Sequence, residues 1–302
     1  MPDSFFSSPD ADKPGSRRRR FRAIPIRTLL PNLITLLALC AGLTAIRFAA
    51  EGRFDWALAC VVFAAMLDGI DGRLARMLKG TSKFGAELDS LADFVNFGVT
   101  PALILYFWEL HVIKSAGWIA AIVFAICAGL RLARFNVMLD DPNRPAWASN
   151  YFTGMPAPGG AIAVLLPIYV SFLGLPWLRF PTALIFLYTL AIGFLMVSRL
   201  PVYSGKKVGT GVAPHMVLKV LVGLVAFFAL LLSFPWEVLT VGTLVFLASL
   251  PVSWHSYHDQ LRKDAEAQTP AASPAIASEA AHTDREIPKP QPDASDRPAR
   301  LN

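Results

Sequence analysis

Long apolar runs are the feature that most restricts what this chain can fold into. Hydrophobic residues make up 54% of the 302 residues and charged residues only 17%. A helix needs about 17 to 25 mainly apolar residues to cross the roughly 30 Å hydrocarbon core of a bilayer. Helices of soluble proteins rarely stay apolar all round for so long. Such runs occur at about 29–49, 54–78, 85–108, 117–137, 159–177, 181–198, 216–234 and 236–254. We therefore predict an all-α integral membrane protein, a polytopic bundle of about eight transmembrane helices.

The basic residues predict the orientation of this bundle. Loops on the cytoplasmic side of a membrane carry the excess of lysine and arginine. If the N-terminus is cytoplasmic, all of the 28 basic residues except Arg47, Arg53, Lys114 and Arg179 fall on that side. An even number of spans returns the C-terminus to the same side. We therefore expect both termini to be cytoplasmic.

The ends of the chain differ from its apolar centre. Residues 1–15 and 259–302 have almost no large apolar side chains, which predicts disorder because such segments cannot offset the entropy of ordering. Residues 16–28 form a basic juxtamembrane segment, either a structure lying in the interface or a solvated tail that sets topology. The net charge of +6 is spread over juxtamembrane positions. Anionic membrane lipids are therefore the expected partner, and nucleic acid is not.

Four aspartates lie close together in this otherwise apolar sequence. Asp68 and Asp71 are three residues apart and Asp89 and Asp93 four apart, so each pair shares one face of its helix. The intervening residues 77–84, MLKGTSKF, can turn the chain back and bring all four carboxylates to one depth. Unpaired, each charge would cost about 2.5 to 3.5 kcal/mol in the membrane. The cluster therefore predicts a hard divalent cation, Mg²⁺ or Mn²⁺, with two ions sharing the carboxylates.

Small and basic residues surround these aspartates. Gly72 and Gly85 flank the turn, where a missing side chain permits close approach of a ligand or of another helix. The small side chain of Ala75 also permits close approach of either a ligand or another helix. The sequence alone does not decide between these two roles. Arg76 offers a forked donor suited to phosphate. Metals held by carboxylates are suited to gripping a pyrophosphate, so the stretch indicates phosphoryl-transfer chemistry at the cytoplasmic end of the bundle.

The stretch DGIDGRLARMLKGTSKFGAELDSLAD spells D-x2-D-G-x2-A-R-x8-G-x3-D-x3-D and resembles the signature of the CDP-alcohol phosphatidyltransferases. The resemblance implies a six-helix catalytic core over 29–200, followed at 201–258 by a loop and two further helices. It implies that Asp68, Asp71 and Asp89 bind metal, and that Asp93 both touches metal and deprotonates the acceptor alcohol. A homodimer in the bacterial inner membrane, with its active site cytoplasmic, is also implied. The implied contacts to the CDP-lipid are Asn32, Thr35, Gly72, Arg76, Ser82 and Gly85. For Asn32, a helix cap or packing role is an equal alternative.

The identity of the acceptor alcohol must be inferred from segments outside this signature. GLRLARFNV places Arg131, Arg134 and Asn136 at the cytoplasmic level, and this segment, YFTGMPAPGGA and SRLPVYSGKK resemble parts of bacterial integral-membrane phosphatidylserine synthases. An arginine can supply the fixed cation that a serine carboxylate needs. The resemblance thus implies transfer of the phosphatidyl group from CDP-diacylglycerol to L-serine. Glycerol 3-phosphate, inositol phosphate and choline remain alternative acceptors, and both arginines can instead be positive-inside anchors.

Two other classes of protein also place aspartates in a membrane. A UbiA-like prenyltransferase binds magnesium pyrophosphate, but its two acidic motifs lie far apart in sequence. In a cation transporter, the carboxylates would mark a site near the midplane, whereas here they crowd at one end of two adjacent spans. The release of CMP from CDP-diacylglycerol, dependent on Mn²⁺ or Mg²⁺, separates the three classes.

Overall fold

The computed structural model describes residues 26–78, 82–139, 151–174, 180–198, 201–203 and 214–268. Helices dominate these residues. The helices are α1 (Ile26–Ala50), α2 (Phe54–Met77), α3 (Lys83–Asp93), α4 (Thr100–Trp108), α5 (Ser115–Leu139), α6 (Ala157–Val164), α7 (Leu166–Phe172), α8 (Thr182–Val197), α9 (Pro214–Ser233) and α10 (Pro235–Gln268). A π-helical turn, Phe94–Val99, joins α3 to α4, and a 3₁₀ turn, Leu110–Ile113, follows α4.

Five stretches of helix are long and apolar enough to cross a membrane, within the part of the chain described above. They are Leu29–Ala50, Lys83–Trp108, Ser115–Met138, Met216–Ser233 and Pro235–Trp254. The chain is thus a polytopic membrane helix bundle, as predicted. The number eight stays a prediction. The additional predicted spans correspond to α2, which carries several charges, to the pair α6 and α7, and to α8 with its 16 residues.

The first three helices build the part of the bundle that matters for function. Small side chains line the contact between α1 and α2: Ala45 and Ala57 have no exposed surface, and Ala38 and Ala64 are only 1% exposed. Small residues let helix backbones approach closely in a membrane, where apolar side chains gain little from leaving lipid. The α2 helix then ends at Met77, and α3 begins at Lys83 and runs back alongside α1.

The structure departs from the all-α prediction in one short element. Residues Tyr151–Thr153 form strand β1, which pairs antiparallel with strand β2, Pro201–Tyr203. In this ladder Tyr151 lies opposite Tyr203, and Thr153 opposite Pro201. Three residues are too few to show the alternating pattern of a strand, so these two strands could not be predicted from the sequence.

The C-terminal helix is longer than predicted. A disordered tail was expected from residue 259, but α10 continues to Gln268, so residues 259–268 are helical. This segment, DQLRKDAEAQ, contains neither glycine nor proline and is rich in strong helix formers, which explains the extension. The predicted disordered segments 1–15 and 269–302 lie outside the described residues, as does most of the basic segment 16–28.

Candidate active site

Carboxylates from two helices meet at one end of the bundle. One carboxylate oxygen each of Asp68, Asp71 and Asp89 lies within 4.8 Å of the others. The first two side chains come from the last turns of α2 and the third from α3, so the chain reversal between these helices creates the cluster. Three carboxylates at this separation repel one another strongly in a medium of low dielectric constant. The arrangement is therefore suited to a divalent cation with oxygen ligands.

Asp71 is the most buried member of the cluster, with 3% of its surface exposed. The Thr35 hydroxyl on α1 lies 2.8 Å from Asp71 Oδ2 and 3.1 Å from the Pro31 carbonyl oxygen. Its single proton serves one acceptor at a time, and the charge-assisted bond to the carboxylate is the stronger. Asp71 Oδ1 is buried and accepts no hydrogen bond from any described residue. A buried oxygen of this kind needs a positive partner, so the residues fit a bound metal ion.

Thr35 thus orients a candidate metal ligand, which leads to a testable prediction. Replacing Thr35 by valine keeps the shape of the side chain and removes the hydrogen bond to Asp71. Loss of a partner that orients a ligand costs about 10- to 100-fold in metal affinity or activity. We expect the Mn²⁺ concentration for half-maximal activity to rise by about tenfold in Thr35→Val.

The matched control for Thr35 is on the same helix. The Thr44 hydroxyl donates only to the carbonyl of Cys40, one turn earlier, and Thr44 is exposed. Thr44→Val should leave the Mn²⁺ dependence unchanged. Equal Mn²⁺ dependence in the two variants would show that the hydrogen bond to Asp71 does not position a metal ligand.

Asp93 lies beside the other three aspartates, on the last residue of α3. Its carboxyl group is within hydrogen-bonding reach of Asp68, and the Arg131 guanidinium of α5 is close enough to act on it electrostatically. Two carboxyl groups in such contact must share a proton or a cation. Asp93 therefore interacts both with the carboxylate cluster and with a buried arginine.

The predicted contacts to the CDP-lipid divide into two groups. Ser82 caps the N-terminus of α3, because its hydroxyl accepts a hydrogen bond from the Gly85 amide at 3.0 Å. A β-carbon at Gly85 would lie 2.7 Å from Asn32 Oδ1, so the missing side chain lets α1 and α3 approach. In contrast, a β-carbon at Gly72 would meet no described atom within 4 Å, and Arg76 is exposed. No described atom therefore fills the space next to Gly72.

The three predicted acceptor contacts on α5 have different surroundings. Arg131 is 7% exposed, stacks its guanidinium carbon 5.2 Å from the centroid of the Phe135 ring, and has an Nε without a partner in the described structure. Arg134 donates from Nη1 to the Val197 carbonyl at 2.7 Å. Asn136 donates from Nδ2 to Ser90 Oγ at 2.9 Å. Arg131 interacts electrostatically with Asp93, whereas Arg134 bonds to the end of α8 and Asn136 bonds to α3.

One polar residue near the site was not predicted from the sequence. Asn96 is 1% exposed and lies on the π-helical turn that follows Asp93. An asparagine within a predicted apolar span is the signal that could have found it, because a buried amide in a membrane is costly unless it has a role.

These features agree with comparisons to known proteins. The profile of the CDP-alcohol phosphatidyltransferase family matches residues 28–255. The chain therefore belongs to this family.

The chain is also similar to individual proteins of this family. The CDP-diacylglycerol–serine O-phosphatidyltransferase of Mycobacterium leprae is 41% identical over 244 residues, which cover 80% of this chain and 79% of the relative. The protein of the same name from Mycobacterium tuberculosis strain H37Rv is 39% identical over 243 residues, covering 78% and 83%. The one from Helicobacter pylori strain J99 is 34% identical over 227 residues, covering 75% and 91%.

Proposed function

We propose that this protein transfers the phosphatidyl group of CDP-diacylglycerol to the hydroxyl of L-serine, giving phosphatidylserine and CMP. The observation that carries the proposal is the meeting of three carboxylates from α2 and α3 in a membrane bundle, with a fourth beside them. Family membership supports the reaction class. The relatives named for a serine acceptor support the choice of alcohol.

In this proposal, Asp68, Asp71 and Asp89 hold a divalent ion, Mn²⁺ or Mg²⁺, and Asp93 contacts it as well. Two ions that share these carboxylates are part of the proposal, because four acidic side chains offer enough oxygen ligands for both. When bound, the metal supplies Lewis-acid stabilisation of negative charge on the diphosphate and on the departing CMP. Thr35 keeps one oxygen of Asp71 fixed, which leaves Oδ1 for coordination. We propose that the open position at Gly72 admits the diphosphate.

Asp93 is proposed to be the general base. Its carboxylate takes the proton from the serine hydroxyl, and the serine oxygen forms a bond to the lipid-side phosphorus. The bond from that phosphorus to the oxygen of CMP breaks at the opposite side, so CMP leaves with the electron pair. Asp93 then releases the proton to solvent. A positioned base of this kind contributes about 10²- to 10⁴-fold to the rate.

Other side chains are proposed to bind the CDP-lipid or to shape its site. We propose that Arg76, which is exposed on the last turn of α2, donates to phosphate. Asn32, Ser82 and Gly85 form the contact between α1 and the start of α3, so we propose that they shape the nucleotide end of the site through backbone position.

Arg131 is the residue proposed to bind the serine carboxylate. It interacts electrostatically with Asp93, and its Nε has no hydrogen-bond partner among the residues described, whereas Arg134 and Asn136 are already bonded to other groups. Stacking on Phe135 holds the guanidinium plane in one direction. A carboxylate bound here would place the serine hydroxyl near the base.

The test of the Arg131 proposal is a change in the KM for serine. Arg131→Gln should raise this KM by about 10- to 100-fold, because a charge-assisted pair of about 1.5 to 3 kcal/mol is lost. The KM for CDP-diacylglycerol should stay near its original value. Steady-state kinetics with each substrate varied in turn measures both.

Arg134→Gln is the matched control for Arg131→Gln, three residues further along α5. Its guanidinium bonds the Val197 carbonyl, so this variant should lower thermal stability and leave the KM for serine unchanged. A serine KM that rises only in Arg134→Gln would transfer the acceptor role to that residue. A change confined to CDP-diacylglycerol would remove Arg131 from the serine site.

The reaction class and the acceptor can be tested in one assay. Purified protein in detergent micelles would receive radiolabelled CDP-diacylglycerol, Mn²⁺ and one alcohol at a time. We expect phosphatidylserine and CMP with serine, and neither when the metal is chelated. A product with glycerol 3-phosphate and none with serine would overturn the acceptor while preserving the class. Failure to release CMP with any alcohol would favour the prenyltransferase or the transporter.

We also propose the membrane, the orientation and the oligomeric state in which the protein carries out this reaction. The protein would span the bacterial inner membrane eight times as a homodimer, with both termini and the carboxylate cluster cytoplasmic. The distribution of basic residues supports this orientation, and it favours contact with anionic lipids. The dimer is implied by resemblance to the family.

A further inference from the structure

The backbone changes its geometry immediately after the proposed base. Residues Phe94–Val99 form a π-helical turn, in which the Thr100 amide donates to the Val95 carbonyl, five residues earlier. Such turns are rare, are less stable than an α-helix, and occur frequently at functional sites. Contacts from neighbouring helices must therefore hold this turn in place.

Asn96 makes the tightest of these contacts. A β-carbon on Gly42 of α1 would overlap Asn96 Oδ1 and would lie 3.0 Å from its Cγ and 3.4 Å from its Cα. Gly42 is buried and Asn96 is 1% exposed, so the amide has no free volume into which it could rotate. Only glycine at position 42 permits this packing.

Further contacts fix the same turn from both sides. The Thr100 hydroxyl donates to the Gly42 carbonyl at 3.3 Å. The backbone of Gly42 therefore contacts this region through both Asn96 and Thr100. On the opposite side, a β-carbon at Gly98 would lie 3.0 Å from Ala128 Cβ of α5. The turn is held between α1 and α5 by positions where nothing larger fits.

The position of this turn gives it a direct influence on Asp93. A π-helical turn contains one residue more than the α-helical turn that it replaces. If it reverted to an α-helix, the residues before it would rotate by about 100° relative to α4, since an α-helix has 3.6 residues per turn. A rotation of this size would carry the Asp93 carboxyl away from Asp68 and Arg131.

We propose that Asn96, packed against the bare backbone of Gly42, is a positioning residue that holds the π-helical turn and thereby the direction of Asp93. The inference rests on the proposed function in which Asp93 is the base. Asn96 itself touches no reacting atom. Its Oδ1 accepts no hydrogen bond from the described residues, so packing against Gly42, and not a bond to this oxygen, connects it to α1.

The test is a double-mutant cycle of Gly42→Ala and Asn96→Ala, read as kcat and KM separately. Each single variant should lower kcat by about 10- to 100-fold, because a misplacement of about 1 Å can cost 10²-fold. The KM for CDP-diacylglycerol should change less than kcat, since Asp68 and Asp71 lie on α2 and do not rotate with the turn. The double variant should be no slower than Asn96→Ala, because once the amide is removed the atoms nearest to the methyl group lie at 3.4 Å or beyond, an ordinary van der Waals distance.

Gly223→Ala is the matched control, because a β-carbon at this α9 glycine would meet no described atom from outside its own helix turn within 4 Å. It should leave kcat unchanged. A normal kcat in Gly42→Ala or in Asn96→Ala, or losses that multiply in the double variant, would overturn the positioning role. If Gly42→Ala fails to accumulate in membranes, the kcat of Asn96→Ala decides alone. Normal turnover in Asp93→Asn would refute the proposed role of Asp93 as the base. The double-mutant cycle would still measure whether Gly42 and Asn96 are energetically coupled.

Discussion

Asp93→Asn should lower kcat by about 10³-fold while the protein remains folded and still binds CDP-diacylglycerol. Asparagine has the shape of aspartate and can still contact Asp68, but it cannot take a proton from the acceptor alcohol. Because Asp93 lies outside the group of three carboxylates, much of the metal site should survive. The loss should therefore fall on the chemical step, so that kcat falls more than the KM values change.

Two measurements check this prediction. CMP release at saturating serine, CDP-diacylglycerol and Mn²⁺ gives kcat, and equilibrium binding of radiolabelled CDP-diacylglycerol shows whether the nucleotide end of the site is intact. Glu87→Gln is a suitable control, since it makes the same chemical change on an exposed residue of α3. Its kcat should equal that of the unmodified protein. An Asp93→Asn variant that turns over normally would exclude Asp93 as the base.

The local periodicity of the sequence accounts for the features that could be predicted. Asp68 and Asp71 share a face because they are three residues apart, and a short turn returns the chain for Asp89, so their convergence follows from helix geometry. The membrane class follows in the same way from the length of the apolar runs. Neither inference requires knowledge of which helices are neighbours.

Features that depend on tertiary contacts could not be predicted. Arg131 and Arg134 are equivalent in the sequence, yet packing turns one toward Asp93 and the other to the Val197 carbonyl. The contact between Gly42 and Asn96 joins residues on two different helices. No pattern within either helix specifies such a contact, and the π-helical turn that depends on it has no sequence period of its own.

The metal site itself is tested most directly at Asp71. Asp71→Asn preserves volume and the contact with Thr35 but replaces a carboxylate oxygen by an amide, which is a poorer ligand for a hard cation. Removing a partner that only orients a ligand already costs 10- to 100-fold, so loss of a ligand should raise the half-maximal Mn²⁺ concentration by at least about 100-fold. A titration of CMP release with Mn²⁺ measures the shift.

Binding of CDP-diacylglycerol separates this result from the one expected for Asp93. If the carboxylates hold the ion that grips the diphosphate, then Asp71→Asn should bind the lipid only at raised Mn²⁺, whereas Asp93→Asn should bind it at ordinary concentrations. Asp55→Asn, at the other end of α2, supplies the same substitution far from the cluster and should leave the Mn²⁺ dependence unchanged. Unaltered Mn²⁺ dependence in Asp71→Asn would mean that the buried oxygen without a partner is not a ligand, and the role of the whole cluster in holding metal would then fail with it.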